Sequence, residues 1–569
     1  MKKFILSLLC SFFLIVVVGC TTSSNSPTDN PDDQPSEDNP VVPPTDVNQE
    51  EPVIPDSTDN LTKYELGYGD YICTLKNMNV SALKNKYDQL STVVKGQVNG
   101  IYQTSYEQGL LDLFNFQNEV KFNINISVAE LKQLTEYHNL KNEESYRICS
   151  VDIAYGDLIL HFENVGIRQK GNTSRGVVVN GDGSLELRHY KINFAETFDD
   201  EFRTDHYQIS DEELLYRQER TLFGLEKIDI RFNRNKDATY LKEAYAYEMY
   251  RAAGLLAPRT NLANVTMNID GNLQNAGVYL MIETIDKAFL KRNLLKEYTT
   301  GDLYKLGWSN EGASFEKNDS YLFGVETQYA NGDGTFRTEK FPYDLKTNKK
   351  TSTHADIKAF IGQIVRATSA NIHTIMEEYS YYDEYVKYMA ISYLLGDPDD
   401  LRGNHNNTYV YFVPSTNGVS KILFMPTDHD RALGATGGAG GNPTGDFCTN
   451  NGPFSPQTGY SRTYNPLFHK TIINSGDGFN LGNDQIKADY IEKIEQIIAS
   501  GWMNLDTFNI YYNAAVLHYQ DDLILGDRFN NEDVTFSLEE NNTPSGDWNL
   551  SVEVYLRLKV ETFNKKKSK

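Results

Sequence analysis

The strongest constraint on the fold lies at residues 396–430, where two acidic loops flank a pair of strand-like segments. The first loop, 396–407, holds three aspartates and three asparagines; the second, Pro426–Asp430, follows segments of strand character at Thr408–Val413 and Lys421–Met425. An aspartate with an asparagine a few residues on, and another aspartate at a strand end, can supply a general base and the oxygen ligands that Mg²⁺ prefers. Each loop alone is also typical of ordinary polar turns.

A second pattern, upstream, has the features of a phosphate site. Strands predicted at Leu158–Phe162 and Val165–Arg168 lead into the small-residue turn Lys170–Arg175, and the alternating strand Tyr190–Phe194 then carries Lys191 on one face. Loop amides and an ammonium can share the charge of a bound phosphate. A short turn between two strands, followed by a solvated lysine, is the ordinary alternative.

The segment after Asp237 predicts an amphipathic helix that this aspartate can cap. Its apolar stripe includes Glu248, and a carboxylate that faces a core needs a partner. Lys191 is the partner predicted from the sequence, and a basic neighbour on the same helix is the alternative. Glu243 lies about 140° around the helix from Glu248, at roughly 100° per residue, and is expected to face solvent unless the helix boundary is shifted.

Taken in chain order, these segments resemble the CotH kinase family, a group of atypical secreted or surface kinases similar to spore coat protein H. The resemblance covers about residues 150–500 and includes a strand, Gly277–Glu283, that ends in an acid. Thr427 departs from it, because the family usually has a tryptophan there. The segments that carry the resemblance are Ile167–Ser174, Tyr190–Phe194, Asp237–Gly254, Gly277–Glu283, Asp400–Asn406 and Pro426–Asp430.

The resemblance implies an α+β, atypical protein-kinase-like fold with two lobes that uses ATP and Mg²⁺. Asp400 would orient or deprotonate the acceptor hydroxyl. Asn406 and Asp428 would hold Mg²⁺. The spacing of Asp399 to Asn404 leaves a second register open. The residues expected to bind ATP are Asn172, Thr173, Ser174, Lys191, Glu248 and Glu283, with Glu248 paired to Lys191 and Glu283 near the hinge between the lobes.

The first sixty residues are expected to be an export signal, a lipid anchor and a linker. A basic start and a short apolar run, Phe4–Val18, precede Gly19 and Cys20 in a pattern that resembles a bacterial lipobox. Cleavage before Cys20 would leave it lipidated and the protein anchored to the cell membrane, facing the extracytoplasmic side. An ordinary signal peptide that contains a cysteine is the alternative. Residues 21–60 have eight prolines and no aromatic residue, so they predict a disordered linker.

The remaining chain is expected to divide into three parts after the signal peptide (1–19) and the linker (20–60). An N-terminal extension with strand character (61–150) includes the alternating segment Val120–Ile126. The kinase-like domain follows at 151–510, and a helical, polar tail completes the chain at 511–569.

Charge narrows the possible functions. The chain has 78 acidic against 54 basic residues and a net charge of −24, which argues against binding to nucleic acid. The function expected is Mg²⁺-dependent transfer of the ATP γ-phosphate to Ser or Thr of surface or secreted proteins. A catalytically weak pseudokinase, acting as a nucleotide-binding or structural cell-surface scaffold, is the alternative. A metal-dependent hydrolase built on Asp428, His429 and Asp430 is disfavoured, because the chain has only ten histidines and they are mostly scattered.

Overall fold

The computed structural model describes most of the chain from Tyr106 to Lys567. The described residues are 106–139, 145–155, 158–171, 174–198, 217–218, 220–307, 312–323, 329–330, 336–337, 341–415, 418–435, 443–444, 465–472, 482–524, 535–539 and 550–567. The predicted signal peptide, Cys20 and the linker lie outside them, as do Asn172 and Thr173. Within these ranges no helix is both long and apolar enough to cross a membrane.

Strands of the described chain form a closed barrel. They are β1 (Val120–Ile126), β2 (Arg147–Tyr155), β3 (Leu158–Gln169), β4 (Tyr190–Asn193), β5 (Lys227–Phe232), β6 (Thr260–Ile269) and β7 (Asn272–Glu283). Their order around the barrel is β1-β2-β3-β4-β5-β7-β6. Neighbours are antiparallel except β1 and β6, whose parallel pairing closes the barrel. Alternation explains β2, which buries every second residue.

The two faces of the barrel wall serve different purposes. Its interior is filled by apolar side chains, such as Phe122, Phe162 and Met281. On the outside, Leu280 of β7 belongs to a larger core shared with the helices. The helices are α1 (Tyr106–Leu113), α2 (Val128–Asn139), α3 (Lys242–Ala252), α4 (Lys287–Asn293), α5 (Ala355–Arg366), α6 (Ile372–Tyr379), α7 (Tyr382–Leu395), α8 (Pro466–Thr471), α9 (Asp484–Ala499), α10 (Leu505–Tyr519) and α11 (Val552–Lys567).

A second, antiparallel sheet brings the two acidic loops together. Its strands, in the order β11-β8-β12-β13, are β8 (Leu303–Leu306), β11 (Tyr343–Leu345), β12 (Thr408–Val413) and β13 (Lys421–Pro426); the short strands β9 (Tyr329–Ala330) and β10 (Phe336–Arg337) pair separately. Thr408 at the start of β12 is paired with Pro426 at the end of β13. The loop before β12 and the loop after β13 therefore leave the sheet at the same end.

The α+β class predicted from the sequence is confirmed, whereas the two-lobed kinase arrangement remains a prediction. The strand-rich part is a closed barrel, and β1 and β2 belong to it although they come largely from the predicted extension. The boundaries predicted at 150/151 and 510/511 both fall inside regular elements, namely β2 and α10. The described residues that flank the predicted kinase-like domain thus pack with it in one unit.

Candidate functional site

The site begins on the outer face of the barrel, where β4 and β5 carry charged side chains. Ile228 and Ile230 of β5 point into the barrel core, so the alternate residues Asp229 and Arg231 project outward. Lys191 of β4 is the direct cross-strand neighbour of Asp229. The alternation of the two neighbouring strands β4 and β5 therefore places an acid and two bases on a single surface.

Asp229 binds two lysines. Its carboxylate lies 3.2 Å from Lys191 Nζ and 2.6 Å from Nζ of Lys170, the first residue of the predicted phosphate turn. Burial opposes the charge on Asp229, but the two ammoniums outweigh it and hold the pKa of that carboxyl well below its usual value. Burial lowers the pKa of Lys191 to about 8, against the attraction of Asp229. Both lysines are thus preorganised beside the turn at Gly171.

Arg231 gathers three carboxylates from separate parts of the chain. Its guanidinium lies 2.5 Å from Glu243 of α3, 2.6 Å from Asp428 and 3.3 Å from Asp430 in the loop after β13. Charge-assisted bonds of this kind are among the strongest side-chain contacts in proteins. Burial disfavours the guanidinium charge, but these acids outweigh it and raise the pKa of Arg231 well above its ordinary value. Arg231 therefore joins the barrel, α3 and the second acidic loop at one point.

The carboxylates around Arg231 are crowded. Burial, with Asp430 and Asp428 nearby, raises the pKa of Glu243 to about 8 despite the attraction of Arg231. Burial and the charge of Asp428 raise the pKa of Asp430 to about 6. For Asp428 burial also opposes ionisation, but Arg231, Lys305 and Lys170 outweigh it and lower the pKa. A further positive charge brought to this cluster would favour ionisation of all three acids.

The predicted pairing of Lys191 with Glu248 is wrong. Lys191 pairs with Asp229, and Glu248 lies 3.8 Å from Arg251 on its own helix. Helix α3 begins at Lys242 and is buried at every residue except Glu243, so an apolar stripe does not mark the face that points to the site. Glu243, expected to face solvent, is the helix carboxylate that reaches the site.

Two adjacent aspartates of the first acidic loop, Asp399 and Asp400, differ in burial and in hydrogen-bond partners. Asp400 is 1% exposed, and its carboxylate accepts hydrogen bonds from Ser392 and from the backbone of Arg402 (2.8 Å) and Gly403 (2.9 Å). These bonds hold the turn, which leaves Asp400 little capacity for an acceptor hydroxyl. Asp399 is half-buried and accepts from Asn404 Nδ2 at 2.6 Å. The geometry therefore leaves the Asp399 carboxylate more accessible than that of the predicted Asp400.

The second acidic loop is fixed in an uncommon backbone conformation. Asp428 has φ 62°, and its N–H donates to Tyr247 Oη at 2.8 Å. Its carboxylate remains about a third exposed (35%). The next residue, His429, is fully buried, lies 3.0 Å from Asp397 through Nδ1 and stacks on Tyr250. Burial lowers the pKa of His429 to about 4, so it serves as a neutral anchor that turns Asp428 toward Arg231.

The remaining predicted residues have local partners. Glu283 is buried at the end of β7, 3.0 Å from Arg259 and 2.9 Å from Arg292. Burial opposes its charge, but the two arginines lower the pKa of Glu283 below its usual value. Ser174 Oγ donates to the carbonyl of Lys170 at 3.0 Å, which closes the predicted phosphate turn on itself. Glu283 and Ser174 thus stabilise the chain next to the site, and the structure brings neither to Arg231.

The residues present fit a Mg²⁺ ion, although they form no dense ligand cluster. In the part of the chain that the structure describes, no group of three or more His, Cys, Asp or Glu side chains is arranged to hold a metal. Mg²⁺ at a nucleotide site needs only one or two carboxylates, with waters and phosphate oxygens. Asn406 Oδ1 is buried without a hydrogen-bond partner among the described residues, and its side chain also bonds Asp399. The unpaired Oδ1 of Asn406 could therefore be a ligand of Mg²⁺. Asn406 bonds Asp399, and burial and the charge of Asp428 raise the pKa of Asp399, so the three side chains lie in one neighbourhood.

Sequence reasoning missed several residues of the site. The segment Lys227–Phe232 alternates charged and apolar residues, and this period could have placed Asp229 and Arg231 on one strand face. Glu243 was expected to face solvent and Asp430 was given no role in the kinase site, because their approach to Arg231 depends on how α3 and β13 pack against the barrel.

The comparison with protein families covers most of this site. Residues 167–514 match the family model described as CotH kinase protein. The match includes every residue that contacts Arg231, and it excludes β1, β2 and α11. No curated protein matches the chain.

Proposed function

Since the chain belongs to the CotH kinase family, we propose that it transfers the γ-phosphate of ATP to Ser or Thr of extracellular or cell-surface proteins. The observation that carries this proposal is the contact of Arg231 with Asp428, 2.6 Å apart. It joins the basic surface of the barrel to the acidic loops of the second sheet. Phosphoryl transfer needs cations for the phosphates and acids for the metal and the acceptor, all at one place.

The basic surface would bind the phosphates. Lys170 and Lys191 lie side by side on Asp229, and Lys170 is also close enough to influence the pKa of Asp428. Arg231 paired with Glu243 takes the part that a strand lysine and a helix glutamate take in protein kinases. ATP phosphates would lie between the lysines and the acidic loops.

Two acids and an amide would complete the site. Asn406 and Asp428 would hold Mg²⁺, which when bound neutralises phosphate charge. Asp399 would orient or deprotonate the acceptor hydroxyl, because it is less buried than Asp400, and the amides of Asn404 and Asn407 would hold its carboxylate in place. Glu243 would keep Arg231 in place during transfer.

The setting would be the extracytoplasmic side of a membrane. The lipobox-like Val17–Cys20 and the linker that follows support a lipid anchor on Cys20 and a folded part held away from the membrane. Surface or secreted proteins would then be the accessible substrates. The excess of acidic residues supports partners other than nucleic acid.

The test is transfer of labelled γ-phosphate by the full chain in detergent, with surface proteins of the source organism as acceptors. We expect incorporation of label that requires Mg²⁺ and is abolished by a chelator. The label should be stable to acid and found on Ser or Thr. Absence of any transfer with every acceptor and metal tested would contradict kinase activity.

A nucleotide-binding scaffold is the second candidate, and one observation favours it. Asp229 already pairs with Lys170 and Lys191, the two lysines proposed to bind phosphate. Arg231 already pairs with Asp428, the acidic residue proposed to hold the metal. Such a site could bind ATP without transferring phosphate. The scaffold predicts a rise in melting temperature with Mg²⁺ and ATP and no label in any acceptor, whereas the kinase predicts both effects.

A further inference from the structure

The chain beyond the family match packs onto the site. Leu550 precedes α11, and both lie outside residues 167–514. The backbone N–H of Leu550 donates to the carbonyl of Gly434 at 2.8 Å, and its carbonyl accepts from Lys242 Nζ at 2.6 Å. The backbone of one residue, Leu550, therefore bridges α3, next to Glu243, and the loop that contains Asp428.

Helix α11 fixes this bridge against the first acidic loop. Tyr555 Oη donates to the carbonyl of Leu394, near the end of α7, at 3.1 Å. Lys559 Nζ lies 4.0 Å from the ring centre of Tyr393, and the Arg402 guanidinium lies 5.5 Å from the same ring. Since the N–H of Arg402 binds Asp400, α11 contacts the supports of both acidic loops.

The contact at Gly434 is close enough to be tested by adding one methyl group. Gly434 has φ 74°, where residues other than glycine are strained. A Cβ at this position would lie 2.9 Å from Leu550 Cβ and 3.0 Å from Tyr555 Cδ2. The loop after Asp428 and the start of α11 therefore hold each other in one arrangement.

Lys242 is the part of this bridge that reaches the site helix. It is 3% exposed, and a buried ammonium is costly unless it is hydrogen-bonded. The chain neighbour Glu243 binds Arg231, which binds Asp428 at the start of the same loop that Leu550 contacts at Gly434. Helix α3 and the loop after β13 are thus connected at two points. Lys242 reaches the loop through Leu550, and Glu243 reaches it through Arg231.

We propose that Lys242 is a positioning residue for phosphate transfer, which acts through Leu550 to keep the loop 428–435 in register with α3. It touches neither phosphate nor acceptor in this account. The proposal rests on the proposed function for its catalytic readout. Residues 550–567 are then part of the working site, although they lie outside the family match.

The experiment compares Lys242→Met, Lys242→Arg and Gly434→Ala in the full chain. Arg557→Met is the matched control, because Arg557 is an exposed base on α11 that pairs only with the exposed Glu561 among the described residues. We expect Lys242→Met and Gly434→Ala to lower kcat on the order of ten- to a hundredfold, as for a small misplacement of reacting groups, with KM for ATP nearly unchanged. Lys242→Arg should restore most of kcat, and the control should match the wild type.

Hydrogen exchange of the segment 426–435, measured on the same proteins, separates the two proposals. We expect faster exchange there in Lys242→Met and Gly434→Ala, with unchanged exchange in β1 and β2. If the wild type transfers no phosphate, the proposed function fails and the exchange result alone decides whether the bridge positions the loop. Unchanged exchange and unchanged kcat in both variants would overturn the role of Lys242. A loss of kcat accompanied by faster exchange throughout the barrel would overturn it as well, because that pattern is general destabilisation.

Discussion

The guanidinium of Arg231 lies 2.6 Å from the carboxylate of Asp428, which joins the barrel to the loop after β13. The two residues are far apart in sequence, and each also has a second partner, Glu243 for Arg231 and Tyr247 for Asp428. Both of these partners belong to α3. The helix, the barrel and the second sheet therefore meet at one ion pair.

Replacing Arg231 should destabilise the fold strongly. Arg231→Met leaves Glu243, Asp428 and Asp430 crowded without their shared cation. We expect a loss of about 3 kcal/mol in the free energy of unfolding, at the lower end for a broken buried pair because Asp428 is partly exposed. Urea unfolding of the full chain measures this. Arg557→Met is the control, and equal stability of the two variants would contradict the role assigned to Arg231.

The two glutamates of α3 should differ in their effect on activity. Glu243→Gln weakens the hold on Arg231, so we expect a loss of phosphate transfer on the order of tenfold or more. Glu248→Gln changes the interactions with Arg251 and Arg259, neither of which contacts Arg231, and should leave the transfer rate near that of the wild type. Steady-state rates with saturating ATP distinguish the variants. A larger loss of transfer rate in Glu248→Gln than in Glu243→Gln would instead support the pairing of Glu248 with Lys191 that was predicted from the sequence.

Stability should depend on pH through Glu243. This residue ionises near its ordinary value of 4.5 in the unfolded chain and at about 8 in the folded chain. Between these values the folded state binds more protons, so this residue makes the free energy of unfolding fall as pH rises, and its contribution is constant above about 8. Glu243→Gln should remove that part of the slope, whereas Glu553→Gln, at an exposed site, should keep it. Parallel slopes for Glu243→Gln and the wild type would refute the raised pKa.

Adjacent aspartates of the first loop should separate activity from stability. Asp400→Asn disturbs the bonds from Ser392, Arg402 and Gly403, and we expect it to cost about 1–3 kcal/mol of stability. Asp399→Asn should abolish transfer, because it removes the proposed base, and should cost less stability than Asp400→Asn, because Asp399 is only half-buried. Thermal unfolding and transfer assays on both variants decide this. Full activity in Asp399→Asn, with a stable but inactive Asp400→Asn, would return the base to Asp400.

Local patterns predicted the regular elements well. The alternation in Val120–Ile126 predicts β1 with its observed bounds, and the segment Tyr190–Phe194 contains β4. Closure of the barrel was beyond such reasoning, since β1 pairs in parallel with β6 more than a hundred residues later and no local pattern records that partner.

The site was predicted only as a neighbourhood. The loops at 396–407 and 426–430 do meet, since Asn407 Nδ2 donates to the carbonyl of Asp428, whereas Lys191 lies beside β5, whose Arg231 reaches Asp428. The sequence did not show which of two nearby acidic residues reaches the site, because the packing of the folded chain determines this. Glu243 and Glu248 lie on a helix buried on nearly all sides, so its stripe gave the wrong face. Asp399 and Asp400 differ only in which one the turn uses.

The central claim is that Asp428, held by Arg231, works in Mg²⁺-dependent phosphate transfer. Its most direct measurement is the rate of labelled γ-phosphate transfer by the full chain carrying Asp428→Asn, beside the wild type. Asp506→Asn, at an exposed residue of α10, is the matched control. We predict that the wild type and the control transfer phosphate at similar rates and that Asp428→Asn transfers none while remaining folded. A folded Asp428→Asn variant that transfers phosphate as fast as the wild type would contradict the claim.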